Sequence, residues 1–342
     1  MGGAMRTKVL SAVIAAVLIT VGVAPILATG RSEADGLEDV TLMLDWVPNV
    51  NHVGLYVARD RGFFEDEGLR VRIIEPGEVF AAGAVTAGRA DYGVEFQENV
   101  TLLRADGIPI VSIAALLQTN TSGFATRAQD GITSASQFAG LTYGTFQSPF
   151  EEPTLNAIVS CAGGSPAGIR YVPAGNDLLA MLQQRQADLV WIFYGTQGFQ
   201  AERAGIEIDF FPLNEYTDCL PDYYTPILIA SDATLENHPD RTRRLLRALA
   251  NAHEYVIANP SSAAQTLAAA VPELDAGELE RSVPWLAQYM RADSAGVAAP
   301  VWGHQRAEVW SDYADWMRSV GLLDADAGID GAFTNAFLPA AE

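Results

Sequence analysis

Hydrophobic and polar positions divide the chain into three stretches. Residues 9–28 (VLSAVIAAVLITVGVAPILA) form an uncharged apolar run, with Arg6 and Lys8 before it and the polar, acidic segment 31–39 after it. Basic, then apolar, then the small residues Ala28, Thr29 and Gly30 is the order of an export signal over residues 1–30. A run of this length would also cross a bilayer, which leaves an uncleaved N-terminal anchor as the alternative. Both readings place the rest of the chain outside the cytoplasm. No cysteine lies near the end of the run, so lipoprotein attachment has no acceptor there.

Beyond residue 38, short β-rich runs alternate with segments of helical spacing. Strands are predicted over 40–45, 69–75, 91–96 and 108–117, with helices over 52–61, 79–87 and 97–105 between them. After the loop-like GITSASQFAG segment a second set follows, with strands over 141–145, 169–172 and 187–193. Its helices are expected over 152–160 and from a cap at Asn176 to Arg185. Strands separated by helices of this length imply parallel crossovers and the α/β class. From Pro239 the pattern turns helical. Leu245, Leu249, Ala252 and Val256 recur at helical spacing, with Arg241, Arg244 and Arg247 on the solvated side. Further helices are expected over 261–270, 276–290 and 305–320. Two α/β units and a helical tail suggest two lobes facing each other across a cleft, with ligand contacts just past the strand ends.

Composition narrows the function. With 342 residues, 49% hydrophobic and 18% charged, the chain can bury the cores of two such units. A net charge of −21 repels phosphate backbones and anionic lipid, which argues against nucleic-acid binding and polybasic membrane attachment. Lys8 is the only lysine, so the chain beyond it supports neither a Schiff base nor a Walker-type phosphate loop. Cys161 and Cys219 could form one disulfide in an oxidising compartment. His52, His238, His253 and His304 are scattered, and no metal site or cofactor is expected.

Four predicted strand ends carry the candidate chemistry. The first reads Asp45-Trp46-Val47-Pro48-Asn49-Val50-Asn51-His52, a ring, amides and an imidazole at a helix start. Another reads Glu95-Phe96-Gln97-Glu98-Asn99. The second set ends in Tyr143-Gly144-Thr145-Phe146-Gln147 and Trp191-Ile192-Phe193-Tyr194-Gly195-Thr196-Gln197. Rings interleaved with hydrogen-bonding groups at four ends favour a planar, uncharged or weakly cationic ligand. The bland alternatives are Trp46 in the core, Asn51 as a helix cap and His52 as a satisfied helix-start histidine. No GxSxG, HExxH, GxGxxG or P-loop motif occurs. Glu151 and Glu152 are adjacent, which on a helix turns them about 100° apart and reads as an acidic first turn rather than an acid/base pair.

The runs LDWVPNVNHVGLYVARDRGFFEDEGL, VTAGRADYGVEFQENVTLLRADGIPIVSIAALLQ and DYYTPILIASDATLENHPDRTRRLLRAL resemble the extracytoplasmic solute-binding proteins of ABC importers in the thiamine-pyrimidine-precursor group. That group shares its fold with sulfonate and nitrate binders and with the fungal pyrimidine synthase. The resemblance covers about residues 39–290. It implies a type II periplasmic-binding fold, with residues 38–127 and 229–342 in lobe 1, 128–228 in lobe 2, and two crossovers between them. It also implies a small heteroaromatic vitamin or precursor as ligand, and an ABC permease as the partner that senses closure. Trp46 and Tyr194 would be stacking faces, and Asn49, His52, Thr145 and Gln197 hydrogen-bond partners. Asp45, Glu95, Tyr143 and Trp191 complete the candidate ligand set.

The sequence departs from that group after the YG turn, where a Trp-Glu pair is replaced by Thr196-Gln197. An amide in place of a carboxylate leaves a riboflavin-like ring open beside the pyrimidine precursor. The synthase also needs a cysteine-rich iron-binding run and a lysine that holds pyridoxal phosphate. Here that stretch reads CLPDYYTPIL, with Cys219 alone, so a binder rather than an enzyme is expected.

Overall fold

The run IVSIAA at residues 110–115, apolar but for Ser112, reads as a strand covered on both faces, and every residue of it is buried. In the computed structural model, which describes residues 36–77 and 79–341, ten strands make two five-stranded sheets. The predicted export segment lies outside the described residues. Among those described, no helix is long and apolar enough to cross a membrane.

The first lobe begins with β1 (Glu38–Met43), α1 (Val53–Asp60), α2 (Phe63–Asp66), β2 (Leu69–Ile74) and α3 (Ala81–Thr86). It continues with β3 (Tyr92–Glu95), α4 (Gln97–Ala105) and β4 (Ile110–Ala115). The second lobe holds β5 (Ser122–Arg127), β6 (Thr142–Thr145), α5 (Glu151–Cys161), β7 (Arg170–Pro173) and α6 (Leu178–Gln183). Its remaining elements are β8 (Leu189–Phe193), α7 (Phe199–Ala204) and β9 (Ile208–Pro212). The chain then returns through β10 (Ile227–Ser231) to α8 (Asp232–Asn237), α9 (Pro239–Ala258), α10 (Pro260–Ala270), α11 (Ala276–Ala287) and α12 (Ala307–Ser319).

The strand orders are β2-β1-β3-β10-β4 and β7-β6-β8-β5-β9. In each sheet the strand arriving from the other lobe is antiparallel to its neighbours, β10 against β3 and β4, and β5 against β8 and β9. The two lobes therefore repeat one topology and are joined by the segments between β4 and β5 and between β9 and β10. Apolar side chains pack on both faces of each sheet. Leu42, Leu116 and Leu249 belong to one core of the first lobe, and Met43, Val85 and Ile229 to another.

Several sequence expectations are corrected here. The boundary at 128 falls late, because Ser122–Arg127 is a strand of the second sheet, paired to both β8 and β9. Its polar composition, SGFATR, hides a fully buried central strand. Gly123 is needed there, since a Cβ would meet the Phe211 carbonyl at 2.3 Å. The assignment of 229–342 wholly to lobe 1 also gives way. Tyr313, Ala314 and Met317 of α12 share a core with Phe124, Phe138 and Tyr143 of the second lobe, while Trp310 packs with Ile110 and Ile227 of the first. Arg241 is buried rather than solvated, ion-paired to Asp91 at 2.9 Å. The cap of α6 is Asp177, whose side chain accepts from the Ala180 N–H, not Asn176. Cys161 and Cys219 are joined as a disulfide that ties the end of α5 to the second interlobe segment.

Candidate ligand-binding site

The carboxyl ends of the parallel strands of both sheets meet in the seam between the lobes. On the first lobe, the turn after β1 is held by its own side chains. Asn49 Oδ1 accepts from the Asn51 N–H at 3.0 Å, and Asn49 Nδ2 donates to the Val47 carbonyl at 3.0 Å. His52 is fully buried, and its Nδ1 accepts from the Asn49 N–H at 3.2 Å. The ring proton is thereby placed on Nε2, which donates to Asp45 Oδ1 at 2.6 Å. Asp45, Asn49 and His52, expected as ligand contacts, thus build a rigid turn that presents Trp46. The bland reading of His52 is the one the geometry supports.

Two of the ring pairs that bridge the seam join the strand ends of the two lobes. Trp46 meets Phe146 of the second lobe edge to face, with centroids 6.0 Å apart. Phe96, just past β3, faces Phe193, the last residue of β8, with planes 23° apart and centroids 6.4 Å apart. Two nearly parallel rings thus face each other from opposite lobes like a pair of jaws. Phe146 stands out in the sequence only as one of the aromatics that would suit a riboflavin-like ring, and Phe96 and Phe193 do not stand out, because in sequence a phenylalanine reads first as core.

Glu95 lies beside Phe96 and is buried. Its carboxylate accepts from the Phe96 N–H at 3.2 Å and the Ala82 N–H at 3.3 Å. Burial pushes its pKa up to about 7, and the nearby Asp45 charge adds to the rise, while Asn99 and the two backbone N–H groups oppose it. The group thus changes protonation near neutral pH.

On the second lobe, Gln197 Oε1 accepts from the Phe193 N–H at 3.1 Å, which anchors one jaw. Thr145 donates to Glu151 and accepts from the Gln147 N–H at 2.8 Å, and Glu151 also accepts from the Phe146 N–H at 3.0 Å. Glu151 therefore clamps the loop that carries Phe146, a role its position in an acidic first helical turn did not announce. Gln147 within that loop takes a positive φ of 66°. Tyr143 is a correction: it is fully buried in the core of the second lobe, edge-on to Phe124 and Tyr171, because its side chain leaves β6 toward the helical layer. Trp191 is mostly core as well, its ring against Phe124 and its Nε1 donating to Ser122 at 2.8 Å.

Tyr194 is not brought to Trp46. It begins a single π-helical turn, Tyr194–Gly198, that runs into α7, and its ring lies against Phe199, Phe210 and Trp285. It lines a separate cavity of about 330 Å³ together with Thr121, Phe210, Glu215, Trp285 and Tyr289. Trp285 and Tyr289 stand one helical turn apart at the end of α11, a spacing that reads in sequence as an ordinary buried face.

With this geometry in hand, the comparisons decide the family. A family model described as NMT1/THI5 like matches residues 49–263. The chain belongs to the NMT1/THI5-like family. Within this family, the formylaminopyrimidine-binding protein of Halalkalibacterium halodurans is 28% identical over 311 residues, covering 89% of this chain and 92% of that protein. The 4-amino-5-hydroxymethyl-2-methylpyrimidine phosphate synthase of Legionella pneumophila is 23% identical, covering 88% and 92%. Among solved structures, the alkanesulfonate-binding protein SsuA from Xanthomonas axonopodis pv. citri superposes with a TM-score of 0.66 at 13% identity, covering 86% of this chain and 98% of that one. The NMT1/THI5-like chain therefore has the periplasmic-binding-protein fold expected from its two α/β lobes and two crossovers.

Proposed function

We propose that this protein binds an aminopyrimidine-type vitamin precursor between its lobes, outside the cytoplasm, and delivers it to an ABC permease. The observation that carries the reading is the pair Phe96 and Phe193, near-parallel rings from opposite lobes with centroids 6.4 Å apart and Glu95 beside them. An aminopyrimidine offers a flat face to the rings and, at its edge, a ring nitrogen next to an N–H donor. A carboxyl group that titrates near neutral pH suits that edge in either proton state. The ionised carboxylate accepts from the amino group and a protonated ring nitrogen, and the neutral acid donates to an unprotonated one. Glu95 thereby supplies, from the first lobe, the carboxylate that Gln197 does not offer in the second. The relative that binds formylaminopyrimidine supports this ligand class.

The lysine and cysteine content favours a carrier over a synthase. Lys8 is the only lysine in the sequence, and both cysteines are joined in the disulfide, so neither is a free iron-binding thiolate. Ligand would leave the site unchanged.

Calorimetric titration with formylaminopyrimidine, followed by mass spectrometry of the recovered small molecule, tests both statements. Phe96→Ala and Phe193→Ala should each weaken binding by about 1–3 kcal/mol. Unaltered affinity in both variants, or recovery of a converted product, would overturn the reading. Riboflavin in the same titration is the competing ligand, and its tighter binding would transfer the site to flavins.

A further inference from the structure

The cavity lined by Tyr194 has a chemistry of its own. Phe210, Tyr194, Trp285 and Tyr289 form a continuous wall, with successive centroids 4.9, 5.4 and 5.2 Å apart. Their planes turn by 46°, 47° and 68° from one ring to the next, so the wall is faceted around a space rather than stacked flat. The Tyr194 ring is set by its hydroxyl, which donates to Glu202 at 2.9 Å, and by Gly198, where a Cβ would meet the ring at 2.6 Å. Glu215 adds a carboxylate at the exposed edge, and the buried Thr121 brings a hydroxyl with no hydrogen-bond partner. Among the described residues, no basic side chain lines the cavity. Arg281, which lies near Tyr194, has its charge matched by Glu202 at 2.6 Å.

Ring faces carry negative quadrupole potential, and several of them around one space, with a carboxylate and no opposing cation, are the arrangement that holds a poorly hydrated organic cation. An anion would find no donor charge here, and a small hydrated metal ion would find too few oxygen ligands. We infer that this cavity is an organic-cation site, taking a quaternary ammonium or N-alkylated heteroaromatic group, distinct from the jaws formed by Phe96 and Phe193. Its walls come from both lobes, Tyr194 and Phe210 from the second and Trp285 and Tyr289 from the first. A cation seated there holds the lobes together as a ring ligand at the jaws would.

Titration calorimetry of the purified protein with choline, and with its uncharged carbon isostere dimethylbutanol, tests the inference. Choline should bind at millimolar concentration or below, and the isostere at least tenfold more weakly. Tyr289→Ala and Trp285→Ala should each cost at least tenfold in choline affinity, Glu215→Gln severalfold, and Phe96→Ala nothing. The inference is overturned by equal binding of the isostere, by absence of choline binding, or by choline affinity that falls with Phe96→Ala and not with Tyr289→Ala. Failure of the aminopyrimidine reading looks different, because that reading depends on Phe96 and Phe193 and not on Tyr289. The comparison of choline with its isostere uses the unaltered protein, so it remains decisive even where a wall variant folds poorly.

Discussion

At the residue scale, the informative side chains are buried acids without a basic partner. Glu98, on the first turn of α4, is buried, and one carboxyl oxygen lacks any hydrogen-bond partner. Burial moves its pKa from 4.5 to about 8, and the nearby Glu95 adds to the rise. Its charge would also face the buried hydroxyls of Tyr223 and Tyr313, whose own ionisation it opposes. The sign of the consequence follows directly. Between 4.5 and about 8 the folded protein keeps a proton that the unfolded chain has released, so stability is full below that window and falls as pH rises through it. The slope is at most about 1.4 kcal/mol per pH unit. His253, whose pKa burial lowers to about 4, acts in the opposite sense at acid pH, so the wild-type profile is a composite. Glu98→Gln isolates the one group. The variant should gain on the wild type steadily from pH 5 to 8 in denaturant titrations, and a difference independent of pH would refute the assignment. In sequence, Glu98 is one more acid in a helical first turn, and only burial distinguishes it.

At the scale of elements, sequence periodicity located most of the helices and parallel strands. The helix expected over 97–105 coincides with α4, and the helices of the C-terminal region agree to within a few residues. The elements that escaped are β5, α7, β9, β10 and the short helices α2 and α8, and most of them lie around the crossovers. Local pattern is weakest there because a central antiparallel strand such as SGFATR owes its burial to neighbours distant in sequence. The disulfide acts at this scale too. It closes a span of 58 residues between α5 and the second interlobe segment, which lowers the entropy of the unfolded chain by roughly 4 kcal/mol in the loop-closure model. Replacing both cysteines by serine should lower the unfolding free energy by about 2–4 kcal/mol, with binding of aminopyrimidine retained at temperatures where the variant is folded. Denaturant curves of oxidised, reduced and substituted protein check this, and coincident curves would refute it.

Across the whole molecule, function turns on how the two lobes meet. Asp222 fastens the two interlobe segments to each other. It accepts from the Thr119 hydroxyl and the Asn120 N–H of the first segment, and from its neighbouring Tyr223 N–H in the second. Asp222→Ala would leave those donors without an acceptor, and should destabilise the protein by roughly 2–4 kcal/mol, read from denaturant midpoints. A change within error would mean that the clasp is solvated and unimportant. Gly195 packs tightly against the first lobe at the seam. A Cβ there would lie 3.1 Å from the Trp285 ring and 3.3 Å from a Val50 methyl. Gly195→Val should therefore wedge the lobes apart, weakening ligand binding at least tenfold while the unliganded melting temperature hardly moves. Scattering that shows the same radius with and without ligand in this variant, against contraction in the wild type, would establish the cause. Equal contraction in both proteins would refute it.

The sequence by itself determined the α/β class, the two-lobe plan, the strand ends as the place to look, the exclusion of lysine chemistry and the family. These follow from local periodicity, composition and contiguous motifs, which one chain displays in full. Only the tertiary structure decided which partners the strand-end groups meet. Asp45, Asn49 and His52 are consumed by one another, Tyr143 turns into the core, and Tyr194 joins Trp285 in a second cavity. Phe96, Phe193 and Glu95 are brought together instead. A polar side chain pairs with whichever neighbour the fold brings to it. For Tyr143 and Tyr194 the surroundings are set by packing between segments apart in sequence, which no local pattern records, whereas Asp45, Asn49 and His52 satisfy one another within a single turn.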